Sequence, residues 1–148
     1  MKAKELMIGD WVQISEFCKY HGAIGRIKTL IEHKDNENAY FKVFLQNNTI
    51  HIGIEDICSD DIRPIPLTPE ILEKNGFEKA LQLSNTEPSD IDEEGNKHYS
   101  YNKTFWGWWQ PDNILSIPAN GLGWLNIKYV HQLQHALRLC GIEKEITL

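Results

Sequence analysis

Ile62-Arg63-Pro64-Ile65-Pro66-Leu67-Thr68-Pro69-Glu70-Ile71-Leu72 is where two kinds of sequence meet. Proline has no amide hydrogen for a strand ladder, so the run holding Pro64 and Pro66 can serve only as an edge strand or an exit from a sheet. A helix starts just beyond it. Thr68 suits the N-cap, Pro69 the first helical position, and Glu70 the first turn, where a carboxylate faces the positive end of the helix dipole. Ile71 and Leu72 give that helix its apolar face, and Asn75-Gly76 ends it, with Gly76 left-handed and Phe77 folding back as a hydrophobic stop. An all-β segment therefore ends as a mixed one begins. The predicted class is α+β, mostly β: residues 1–66 form a small β-barrel, and residues 67–148 an antiparallel sheet with two helices on one face.

On the N-terminal side, β-branched and aromatic runs recur at the short, regular spacing of small barrels and sandwiches: Trp11 to Ile14, Arg26 to Ile31, Tyr40 to Leu45 and Thr49 to Ile52. His33 to Asn38 and Gln46-Asn47-Asn48 suit hairpin connections, because Asn tolerates positive φ. Glu55 to Cys58 and Ile62 to Pro66 close the segment. On the C-terminal side, Lys79 to Leu83, Lys97 to Tyr101, Phe105 to Trp109, Asn113 to Ile117 and Gly123 to Ile127 read as strands. Tyr129 to Cys140 reads as the second helix, closed by Gly141, and Ile142 to Leu148 as a tail that adds an edge strand.

Two resemblances attach to these residues. Gly9-Asp10-Trp11-Val12 with Gly25-Arg26-Ile27, Val43-Phe44-Leu45 and Asp61 to Ile65 resembles a Src-homology-3-like small barrel of the KOW or Tudor sort. The boxes Leu67 to Phe77 and Tyr129 to Ile146 resemble an uncharacterised family of short bacterial proteins carried on prophages or other mobile elements. That resemblance implies a bacterial mobile-element setting and carries over no catalytic residues.

Composition excludes several functions. With 15 Lys+Arg against 21 Asp+Glu the chain carries a net charge of −6, which removes the positive field that non-specific nucleic-acid binding relies on. No apolar run approaches the length of a membrane span, so no membrane partner and a cytoplasmic location are expected. Three scattered cysteines (Cys18, Cys58, Cys140) argue for reduced thiols, with Cys58 a small core residue. Neither a G-x-S-x-G elbow, a phosphate-cradling G-x-x-x-x-G-K-[ST], nor a G-x-G-x-x-G after a strand is present. A non-enzymatic chain without cofactor is expected.

The aromatic run Phe105-Trp106-Gly107-Trp108-Trp109 is the compositional outlier. In a strand, Phe105, Gly107 and Trp109 point one way, and Trp106 and Trp108 the other. One set packs under the second helix; the other either packs on the barrel as an inter-element core or stays partly exposed as a contact surface, with Gly107 leaving a gap for a ligand group. The second helix, drawn on a wheel, gathers Tyr129, Val130, Leu133, Ala136, Leu137 and Cys140 on one side and sends His131, His135 and Arg138 toward solvent. The expected site is therefore Tyr101, Trp106, Trp108 and Trp109, flanked by His131, His135 and Arg138, and its expected partner a protein.

Two alternatives come from other classes. Lys19, Arg26, Lys28 and Lys42 could form a local basic strip for accessory nucleic-acid binding through the barrel. His131 and His135, at i and i+4, have the spacing of a zinc pair, but Gln132 stands where a metalloprotease carries its general base. The acidic stretch Asp90 to Asn96 imitates half a calcium loop without its closing Glu, and reads as a solvated loop.

Overall fold

The computed structural model describes residues 6–16, 20–31, 40–46, 51–79, 82–83, 88–89, 96–102, 104–119 and 123–148. The chain is α+β and mostly β, and its internal contacts divide it into two units, Met1–Ile65 and Pro66–Leu148. Among the described residues no helix is long and apolar enough to cross a membrane.

The first unit is one antiparallel sheet of β1 (Trp11–Ile14), β2 (Ile24–Ile31), β3 (Tyr40–Gln46), β4 (His51–Cys58) and β5 (Ile62–Pro64), in the order β4-β3-β2-β1-β5. Val12, Ile14, Ile27, Phe41, Val43, Leu45, Ile57 and Ile62 fill its core with Leu6 and Ala23. Strand period sorts them: Val12, Gly25 and Leu45 stand in one rung, with the Val12 and Leu45 side chains on the core face. Gly25 has no alternative there, since a Cβ would sit 2.6 Å from Val43 Cγ1 and 2.8 Å from Leu45 Cδ2.

Two expectations change. The barrel does not close: β4 and β5 stand at opposite ends of the order, and no ladder joins them among the described residues. The turn Ser59–Asp61 carries the chain from β4 across to β1, where β5 pairs through Ile62, Arg63 and Pro64. Three residues ending in a proline make a short edge, not a closing seam. Second, His51 to Cys58 is one strand, not two, because the pairing with β3 runs from Tyr40↔Cys58 to Gln46↔His51 across a single register shift. The predicted connection 33–38 and Thr49-Ile50 lie outside the described residues.

The second unit begins with α1 (Pro69–Lys74), and both of its ends match the sequence reading. Thr68 Oγ1 accepts the Ile71 amide at 3.3 Å, and Gly76 takes φ 76°. The Gly76 amide then donates to Glu73 O and the Phe77 amide to Leu72 O, each at 3.0 Å, a Schellman closure. Next come β6 (Glu78–Lys79), the separate pair β7 (Gln82–Leu83) and β8 (Pro88–Ser89), then β9 (Lys97–Tyr101), β10 (Phe105–Gln110), β11 (Ile114–Pro118), β12 (Trp124–Ile127) and α2 (Val130–Leu139). The main sheet runs β12-β11-β10-β9-β6. The acidic stretch 90–95 lies outside the described residues.

One face of this sheet carries Tyr99, Phe105, Trp109, Leu115, Ile117 and Ile127, all buried. The first helix attends it. From α1, Glu73 accepts Tyr99 Oη at 3.1 Å and Lys79 Nζ at 2.9 Å, and these bonds hold its carboxyl below the usual carboxylate range. Just beyond α2, Cys140 lines a hollow with Phe105 and Ile117 of this face and with Trp106 and Pro118 of the other. The predicted edge strand of the tail does not form. Instead the buried Asn75 side chain grips it, donating to Thr147 O at 2.7 Å and accepting the Thr147 amide at 2.8 Å. Ile146 is fully buried beside this grip.

Candidate functional site

The run Phe105 to Gln110 alternates as its period requires, with Phe105, Gly107 and Trp109 buried and Trp106, Trp108 and Gln110 on the opposite face. Two turns set the register of its neighbours. Asn102 at φ 49° turns β9 into β10, and Asn113 at φ 62° turns β10 into β11. Asn tolerates this left-handed conformation better than most side chains. Trp108 then stands opposite His98 on one side and Ser116 on the other, Ser116 opposite Asn126, and Pro118 opposite Trp124.

This register assembles an aromatic group on the sheet face opposite the one that α1 bonds. Trp106 and Trp124 meet at 6.0 Å with their planes at 78°, forming a two-walled corner. His98 lies behind, 5.6 Å from Trp106 and 4.9 Å from Trp108. Trp106 is 37% exposed and Trp124 56%. Burial among the rings disfavours the charged imidazolium and pushes the His98 pKa down. On the adjoining rungs, Gln110 Nε2 donates to Ser116 Oγ at 3.0 Å, and Ser116 Oγ donates to Asn126 Oδ1 at 2.7 Å. An indole corner thus stands beside a chain of side-chain amides and a hydroxyl.

The expected site residues do not all gather here. Trp106 and Trp108 do. Trp109 points to the helix side at 6% exposure, and Tyr101 shares that side, 5.1 Å from the Phe77 ring and with Lys144 Nζ 5.4 Å over its own. Nor does Gly107 leave a gap: a Cβ there would lie 2.7 Å from Ser116 O and 2.8 Å from Ile117 Cγ2, so the space is already filled.

The second helix also departs from its wheel. Val130, Leu133, Ala136 and Leu137 are buried as expected and Arg138 is exposed, but His131 is only 3% exposed. Its ring stacks on Tyr129 at 5.8 Å and 9°, and meets the half-buried His135 edge-on at 5.8 Å. The wheel treats Tyr129 as one more helical residue, whereas it is the extended N-cap, whose ring lies flat against His131. Gln132, at the position of a metalloprotease base, is used in capping: its Oε1 accepts the amides of Lys128 at 2.8 Å and Tyr129 at 3.3 Å. Among the described residues, no three His, Cys, Asp or Glu side chains form a group that could hold a metal.

In the first unit, Trp11, Arg26 and Phe44 share a rung across β1, β2 and β3. Arg26 lies 4.4 Å over the Trp11 ring, Lys28 5.7 Å over Phe44, and Lys42 bonds Asp56 at 3.0 Å. Burial lowers the Arg26 pKa from its usual value. The proposed basic strip is thus engaged in ring and carboxylate contacts, and Lys19 lies outside the described residues. Of the thiols, Cys58 is half-buried and Cys140 exposed, and both are free. Compared with known proteins, the chain matches no family model, no curated protein and no solved structure.

Trp124 and His98 are the residues that sequence reasoning left out of the site. A usable signal existed. For His98, the left-handed Asn102 after β9 and the three-residue loop Pro111 to Asn113 mark which positions stand opposite Trp108.

Proposed function

We propose that this chain is a non-enzymatic binding protein that acts through the aromatic face of its second sheet, with Trp106, Trp108, Trp124 and His98 as the contact group. The observation that supports this reading is the exposure of Trp106 and Trp124 on a face whose other side is buried and bonded to α1. Large aromatic rings left in water bring a large desolvation gain to a partner, and Trp dominates binding hot spots. The resemblance of the two sequence boxes supports a setting on a bacterial mobile element.

The test is substitution at the corner. Trp124→Ala and Trp106→Ala should each weaken ligand binding by about 2 kcal/mol or more. Trp124→Ala should leave the unfolding midpoint nearly unchanged, because more than half of that residue is already in water. If both variants bind every ligand of the parent chain with parental affinity, the reading is wrong.

A further inference from the structure

The chemistry of this face narrows the ligand, given that the face binds one as proposed above. The strands β9 to β12 contribute no charged side chain to it among the described residues; in register stand His98, Ser100, Trp106, Trp108, Ser116 and Asn126. Among the described residues, the formal charge on these rungs is the carboxylate of Glu78, opposite Ser100 on β6, while Lys128 follows just past the end of β12. A phosphate-bearing strand meets an anion on these rungs and a single lysine beyond their end, too little positive charge to hold it. The hydrogen-bonded chain is polarised in one direction. With Gln110 Nε2 and Asn126 Oδ1 both spent on Ser116, Gln110 Oε1 remains an acceptor and Asn126 Nδ2 a donor, with no protein partner among the described residues.

A ligand that suits this pattern has an apolar face for the indoles and an edge of groups that both donate and accept. A polyproline segment has the apolar face, but its carbonyls only accept, so Gln110 Oε1 would go unmet. A sugar ring has both, since its C–H face is apolar and each hydroxyl is donor and acceptor at once. We infer that the aromatic face binds a neutral saccharide, with one ring seated in the corner of Trp106 and Trp124 and its hydroxyls on Asn126 Nδ2 and Gln110 Oε1.

The test uses the full chain in native gels containing a neutral polysaccharide, each of a β-glucan, a xylan and a galactomannan in turn. It is paired with calorimetry on the matching oligosaccharides, a proline-rich peptide and oligo-dT. At least one polysaccharide should retard the chain, with an affinity unchanged between about 50 and 200 mM salt. Trp124→Ala and Trp106→Ala should weaken that binding tenfold or more, and Asn126→Ala several-fold. Trp124→Phe, which keeps a ring in the corner, should retain most of it. No retardation or heat with any saccharide overturns the inference. If the peptide or oligo-dT binds instead and the Trp variants abolish it, the saccharide is overturned and the aromatic site stands. If the Trp variants change no binding at all, the site falls too.

Discussion

Replacing Gly107 by alanine tests the packing that turns Trp106 and Trp108 outward. The added Cβ would lie 2.7 Å from Ser116 O, 2.8 Å from Ile117 Cγ2 and 3.1 Å from Leu115 Cδ1. Carbon atoms in good contact stand about 3.5–4.0 Å apart, so the Ile117 methyl is overlapped by roughly 1 Å. Leu115 can turn the end of its side chain away. Ser116 O cannot move without pulling β11 from the ladder it shares with β10. Overpacking of this kind costs about 1–3 kcal/mol, and the lost freedom of the unfolded glycine returns about 0.4–1 kcal/mol. The net loss is then about 1–2 kcal/mol, which lowers a urea midpoint by about 0.5–1 M at a typical slope near 2 kcal/mol/M. Tryptophan fluorescence is the suitable signal, because Trp106, Trp108, Trp109 and Trp124 all belong to the second unit. Gly22→Asn supplies the contrast. Gly22 has φ +74° with nothing within 4 Å of its added Cβ, and Asn tolerates that conformation, so its midpoint should hardly move. A Gly107→Ala midpoint equal to or above the parent value would show that this rung is not close-packed.

Further outcomes concern the other contacts. Trp109→Ala, at a nearly enclosed ring, should lower unfolding free energy by about 3–5 kcal/mol, against less than about 0.5 kcal/mol for Trp124→Ala; equal losses in denaturation would contradict the two-sided reading of β10. The His98 imidazole should titrate below the ordinary value of about 6.5 when followed by NMR. Because the folded state disfavours its proton, this group's stabilisation is present above that ordinary pKa and is lost as pH falls below it, so His98→Gln should flatten the decline in stability between pH 7 and 5. Asn75→Ala, which strips both bonds to Thr147 and leaves that peptide unmet, should cost about 1–3 kcal/mol by urea titration. Ile146→Ala should cost about 2–5 kcal/mol from the cavity it opens.

Local chemistry made α1 legible almost to the residue, because Thr68, Pro69 and Gly76 act within a few positions of themselves. The same holds for Gly141, which ends α2 with φ 71° and lets the Ile142 amide reach Leu137 O at 2.9 Å. Strand period likewise separates Trp109 from Trp106 and Trp108 without knowledge of any neighbour, although the expected site counted all three. What stayed hidden depends on partners distant in sequence. Closure of the first sheet turns on where β5 pairs, which no local propensity states. Burial of His131 depends on the ring of an N-cap residue that a helical wheel misplaces. Trp124 joins the site only through register transmitted across β11, and the tail is held by a side chain at the end of the first helix.

That last grip has a thermodynamic consequence. Asn75 and Thr147 are 72 residues apart, so their join encircles nearly the entire second unit. Drawing the ends of a flexible loop that long together costs about 4 kcal/mol by logarithmic scaling, more than two hydrogen bonds worth about 1 kcal/mol each return. The knot can therefore tighten only after the sheet has brought its ends near, and under mild denaturant it should be where the unit first unravels. The Thr147 amide would then exchange with solvent well before the amides of β10 and β11 do.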